Sequence, residues 1–157
     1  MQRDLAFEEA VALTPAVQKP ALKAPWHLYL IGTAAVLWSA INVFDFLATL
    51  TQFGPYMDRF PDAARQYWET QPAGVFVVWA LSVFSSLIGS VMLVRRQALA
   101  VRVLGVSAIS TILAMALSYS RPAPDYDATR VFAVCIIVVS LLILNYAYHL
   151  GKRGALR

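Results

Sequence analysis

Four stretches of this chain are apolar for long enough to cross a lipid bilayer, and no other feature narrows the choice of fold as much. They lie at about residues 26–50, 74–94, 98–119 and 130–148. A helix rises ~1.5 Å per residue, so ~20 residues cross a ~30 Å hydrocarbon core. Hydrocarbon offers no partner to a bare N–H or C=O, so each run must satisfy its own backbone, which a helix does. The runs are continuous, without the dyad alternation of a membrane β-barrel. The sequence therefore predicts an all-α polytopic membrane protein, a four-transmembrane-helix antiparallel bundle. A polar tail at 1–25 precedes the membrane domain at 26–150, and a short basic tail occupies 151–157.

Composition agrees. Hydrophobic residues make up 59% of the chain and charged residues 14%, whereas soluble domains carry about 25% charged residues. The net charge of +4 forms no single patch of the kind nucleic acid requires. Instead the basic residues sit at the ends of the apolar runs. Nine fall on one side: Arg3, Lys19, Lys23, Arg95, Arg96, Arg102, Lys152, Arg153 and Arg157. Arg59, Arg65, Arg121 and Arg130 fall on the other. The positive-inside rule then places both termini in the cytoplasm of a bacterial inner membrane. Residues 1–25 lack the apolar core of a cleavable signal peptide, so the first span reads as an uncleaved anchor. In that tail Asp4 suits the start of a short helix carrying Phe7 and Val11, and Pro15, Pro20 and Pro25 favour an extended linker. Cys135 reads as a small apolar filler.

The connections carry their own signals. Gly54-Pro55 should stop the first span, and Asp62 after Pro61 suits the start of a short interfacial helix. With Tyr56, Phe60, Tyr67 and Trp68 this first outer loop is rich in rings that favour the headgroup level. It reads as an anchor or, alternatively, as a lid or docking surface over the bundle's mouth. Trp26, Tyr29 and Tyr148 are further interfacial anchors. "RRQ" allows only a tight turn between the second and third spans. Asp125 and Asp127 stand near the start of the fourth, where the helix dipole favours carboxylates.

Polar residues inside the spans fall on faces. Ala35, Trp38, Asn42, Asp45 and Thr49 share one face of the first span; Ser82, Ser86, Gly89 and Ser90 form a small polar stripe on the second; Ser107, Thr111, Ala114 and Ser118 do so on the third. Small residues and hydroxyls at helix contacts point to close packing in a membrane, in preference to a wet pathway. Asp45 stands apart, because a carboxylate at the centre of a membrane helix costs ~2.5–3.5 kcal/mol and so turns to protein or water. Asp45 is predicted to face the bundle interior near the outer mouth, hydrogen-bonded within its own span or to the second. Trp79 and Ser82 lie near its level, Arg130 is the first-ranked charged partner and Arg121 the second, while Arg102 is too deep. The candidate seam for a solute or a proton is thus Asp45, Asn42, Trp38, Thr49, Trp79, Ser82 and Arg130.

His27 and His149 sit among interfacial aromatics and read as anchors, with Asn145 beside His149; two histidines without nearby carboxylates or thiols make a weak metal site. Phosphate-loop, nucleophile-turn and zinc-protease signatures are absent. No catalytic residue, cofactor or metal is expected.

"PWHLYLIG" at 25–32, "LWSAINVFDF" at 37–46 and "YMDRF" at 56–60 resemble uncharacterised small bacterial four-span inner-membrane proteins, some of them labelled sugar transporters. The resemblance implies weight at Trp26, Trp38, Asp45, Tyr56 and Met57 and supplies no substrate. Two functional classes follow: a non-catalytic accessory or assembly subunit, or a small-solute or proton-coupled transporter using Asp45. The first is preferred, since repeat pairs typical of transporters are not visible. The lipid bilayer is the first partner, with a second copy or another membrane protein as the next.

Overall fold

The computed structural model describes residues 25–120 and 127–157, with 127–130 described by backbone alone. The N-terminal tail with its predicted helix from Asp4, and the loop holding Arg121 and Asp125, lie outside the described residues, as does the Arg130 side chain. The described chain is helical throughout: α1 (Trp26–Leu50), α2 (Gly54–Met57), α3 (Asp62–Glu69), α4 (Ala73–Val94), α5 (Ala100–Ser118) and α6 (Asp127–Lys152). α1, α4, α5 and α6 are each long and apolar enough to cross a membrane. They run alternately up and down as an antiparallel bundle. The chain is an integral, multi-pass membrane protein.

Burial in this bundle is inverted relative to a soluble core. Leu30, Leu37, Ile41, Leu81, Ile88, Ile109 and Leu142 are exposed, while Ser39, Ser82, Ser90, Ser107, Ser110 and Thr111 are buried. Lipid solvates the large apolar side chains, so helices associate through small residues and hydroxyls. A Cβ on Gly32 would lie 2.7 Å from Val94 Cγ2, and one on Gly89 would lie 2.8 Å from the Leu104 side chain and 3.2 Å from its backbone nitrogen. These contacts set the α1–α4 and α4–α5 spacings. Hydroxyls then join across the same seams. Ser39 Oγ is 2.8 Å from Ser86 Oγ and 3.3 Å from Ser90 Oγ. Ser82 Oγ is 2.6 Å from Thr111 Oγ1, and Ser107 donates to the Ser82 carbonyl at 3.0 Å. The serine stripes therefore serve packing.

Three helix ends close in the same way. After α1, α4 and α6 a residue in the left-handed region turns the chain: Gln52 (φ 50°), Arg96 (φ 62°) and Gly154 (φ 69°). In each the next N–H reaches five residues back, Phe53 to Ala48, Gln97 to Met92 and Ala155 to Leu150, at 2.9, 2.9 and 3.1 Å. This arrangement satisfies the orphan carbonyls of a helix C-terminus. A side chain resists this conformation, and Arg96 is held in it by its own contacts. Its Nε donates to Ala155 O at 2.9 Å, and its carbonyl accepts from Arg157 N–H at 2.6 Å. The last residues, predicted as a plain basic tail, are thus docked, with Ala155 and Leu156 buried against Leu28, Leu93, Leu104 and Leu150. His27 Nδ1 and the Tyr146 hydroxyl, 2.6 Å apart, join α1 to α6 at this tail end.

The first span ends at Leu50 as expected, but the break comes from Gln52, so Gly54-Pro55 opens α2 in place of stopping α1. Proline suits the first turn of a helix, where its missing N–H has no partner to lose. The last span is longer than 130–148 at both ends, because Leu150 packs on the docked tail and extends the helix past its apolar run.

Gly89→Ala should destabilise the purified protein by about 1–3 kcal/mol, since the Leu104 backbone cannot yield. Gly105→Ala, whose Cβ would meet open space, should leave the melting temperature in detergent unchanged or slightly raised. Equal melting temperatures for the two variants would contradict the α4–α5 seam described.

Candidate functional site

α2 and α3 fold back over the opposite end of the bundle and are fastened to three of its spans. The Tyr56 hydroxyl donates to Asp45 Oδ1 at 2.5 Å, tying the cap to α1. The Tyr67 hydroxyl donates to the Ser118 carbonyl, tying it to α5. The Trp68 and Trp79 rings lie 5.1 Å apart, tying it to α4. Within the cap Arg65 pairs with Asp58 at 3.0 Å and with Asp62, and so locks α3 to the end of α2. Met57 and Ala64 are buried beneath.

Below the cap is a cavity of about 360 Å³, within the range of small-molecule sites. Its walls come from every element. α1 supplies Asp45 and Thr49; the cap supplies Tyr56, Phe60, Tyr67 and Trp68; α4 supplies Trp79; α5 supplies Ala114, Met115 and Ser118; α6 supplies Phe132, Ala133 and Ile136. Extended close packing joins α1 to α4, α4 to α5 and α5 to α6, but no such seam joins α1 to α6 among the described residues. A second space of about 20 Å³, room for one water, lies deeper among Trp38, Asn42, Trp79, Ser82, Ser86, Thr111 and Ser140. Trp79, Ala114, Met115 and Ile136 border both.

The predicted seam is therefore divided. Asp45, Thr49 and Trp79 line the large cavity, whereas Trp38, Asn42 and Ser82 line the small one, with Trp79 between them. Asn42 does not reach Asp45, because its Nδ2 donates to the Trp38 carbonyl at 2.7 Å. The partner of Asp45 comes from neither α1 nor α4: among the described residues it is Tyr56, eleven positions along the chain. Of the predicted anchors, Trp26, Tyr29 and Tyr148 are exposed at the tail end, with Lys152 Nζ 4.8 Å from the Tyr148 ring centre. Tyr56, Tyr67 and Trp68 instead turn inward as cavity wall and cap fastening. The signal for Tyr56 was Gly54-Pro55, which reads equally well as a helix start and returns the chain over Asp45. Phe60 reads in the sequence with the other rings of the first outer loop as a headgroup-level residue, and Met115 and Phe132 carry no distinguishing signal.

Burial pushes the Tyr56 phenol above its ordinary value of 10.0, and the hydrogen bond to Asp45 and that carboxylate's charge push it further, against a smaller opposite pull from Arg59. The folded state thus keeps the Tyr56 proton at pH values where an unfolded chain loses it. No protein-family model matches the chain, and comparison with curated proteins and with solved structures gives no match.

Tyr56→Phe should cost about 1–3 kcal/mol, since it leaves a half-buried carboxylate without its donor. Hydrogen exchange should quicken across residues 53–71, and exchange unchanged from wild type would mean that the bond does not hold the cap. The Gln71 amide, at the α3–α4 turn, is buried with neither polar atom bonded among the described residues. Gln71→Leu should accordingly raise the melting temperature, opposite in sign to Tyr56→Phe. In alkaline titration, the stability that Tyr56 contributes below pH 10.0 should fall as pH rises above that value. A Tyr56→Phe protein should lack this component.

Proposed function

We propose that this protein is a non-catalytic, ligand-binding membrane protein that holds one small amphipathic molecule in the capped cavity. The observation that carries the reading is the cavity itself: apolar and aromatic walls, one carboxylate among the described residues, and a cap fastened to three spans above it. Largely apolar concave sites with a few placed polar groups are the usual form of a small-molecule site. Tight membrane packing removes voids, so a space of this size marks a place where close packing is given up. Within the cavity Asp45, Thr49 and Tyr56 offer the polar end of a ligand an acceptor and hydroxyls. We further place the protein in a bacterial inner membrane with the capped end outside, on the nine-to-four division of basic residues.

A second reading, movement of the ligand across the membrane, is favoured by the water-sized polar space directly beneath the cavity. Passage would have to break the Ser39, Ser86 and Ser90 contacts and then a closed apolar core at the tail end. Holding, as for an accessory subunit that senses or presents a ligand, needs no such rearrangement.

Ala133→Trp fills the cavity from α6 and provides the test. In a panel of small amphiphiles, at least one should raise the melting temperature of the wild-type protein by several degrees and leave Ala133→Trp unmoved. If every amphiphile shifts both proteins alike, the cavity is not a binding site. Orientation is checked separately with Gln66→Cys in a Cys135→Ala background: a membrane-impermeant maleimide should label it on intact cells, and labelling only after lysis would reverse the topology.

A further inference from the structure

The cavity wall is chemically lopsided. Its one charged group among the described residues is Asp45, and no lysine or arginine lines it. In the cap, Arg65 is paired with Asp58 and Asp62, and Arg59, whose charge acts on Tyr56, is exposed and does not line the cavity. Asp45 receives a single hydrogen bond, from the Tyr56 hydroxyl at Oδ1, with no ion pair among the described residues. Around it stand Tyr56, Phe60, Tyr67, Trp68, Trp79 and Phe132. Several of these rings are already ordered against one another: Tyr56 and Phe60 at 5.3 Å, Trp68 and Trp79 at 5.1 Å. Aromatic faces carry negative partial charge and attract cations.

Resting on the ligand-holding reading, we infer that the ligand is an amphipathic organic cation, its ammonium-type group between Asp45 and the aromatic rings and its apolar body against Met115, Ala133 and Ile136. Three physical arguments converge on this class. A carboxylate displaced from water in the membrane needs a counter-charge, and the described wall supplies none. The same described wall repels anions, having a carboxylate and ring faces and, among the described residues, no basic group. A sugar or other polyhydroxylated solute would forfeit its water hydrogen bonds against walls that offer few replacements, at a cost for each unmet group. An alkyl- or arylammonium exchanges its charge hydration for Asp45 and ring faces, while its apolar portion gains from leaving water.

The experiment uses the full-length protein in a nonionic detergent and three probes of one skeleton: phenylbutylammonium, phenylbutanol and phenylbutyrate. Binding is read by quenching of tryptophan fluorescence and by calorimetry, with Ala133→Trp subtracting partition into the micelle. The ammonium should bind roughly tenfold or more tightly than the alcohol, and the carboxylate least of all, as expected for an ion pair supplemented by cation–π attraction. Asp45→Asn, which keeps an acceptor for Tyr56, should bring the ammonium-to-alcohol ratio close to one without weakening the alcohol. Should Asp45→Asn not fold, Asp45→Glu must retain the preference and Trp68→Leu must reduce it. Alcohol or carboxylate binding as tight as the ammonium overturns the cation assignment and leaves the ligand-holding reading in place. Absence of cavity-dependent binding by all three probes overturns both.

Discussion

The constraint on which the structure depends is that its solvent is hydrocarbon for most of its length. No apolar driving force separates the helices from lipid, so they must be held by proximity and by hydrogen bonds. Gly32 against Val94 and Gly89 against Leu104 bring the backbones together, and the Ser39–Ser86–Ser90 and Ser82–Thr111 contacts fasten them there. The large side chains are left to face lipid. What would be an aggregation surface in water is here the correct exterior.

That packing is uneven along the bundle, and the unevenness creates the site. At the tail end the C-terminal residues tuck under α4 and α5, Arg96 is held in a left-handed conformation by its bonds to Ala155 and Arg157, and Leu28, Leu93, Leu104 and Leu150 close the interior. At the capped end two short helices roof a cavity that the spans leave unfilled, and among the described residues α1 and α6 share no extended seam. Tight closure at one end and a roofed space at the other follow from one chain. The difference lies in whether a short segment fills the interior or covers it.

Asp45 links these two levels. Its carboxylate sits where the first span meets the roof, and the hydrogen bond from Tyr56 is at once a cap fastening and part of the cavity wall. The cap's other fastenings also end on cavity-lining residues, Tyr67 on the Ser118 backbone carbonyl and Trp68 on the Trp79 ring.

By itself the sequence determined the solvent, the helices and their alternation. Length and apolar continuity decide what crosses a membrane, and the 3.6-residue period places Asp45, Thr49 and the serine stripes on inward faces. It also located the helix start at Asp62, because proline and an acidic first turn are local signals. Only the tertiary structure decided which polar groups meet. Asp45 and Tyr56 belong to different elements, and their distance depends on a reversal at Gln52 that no local preference requires of glutamine. The division of the polar face, with Asn42 turned to its own backbone and Asp45 to the cap, likewise depends on the helix rotations set by Gly32 and Gly89. Periodicity assigns a residue to a face, but the depth and neighbours of that face are set by how closely other helices approach it.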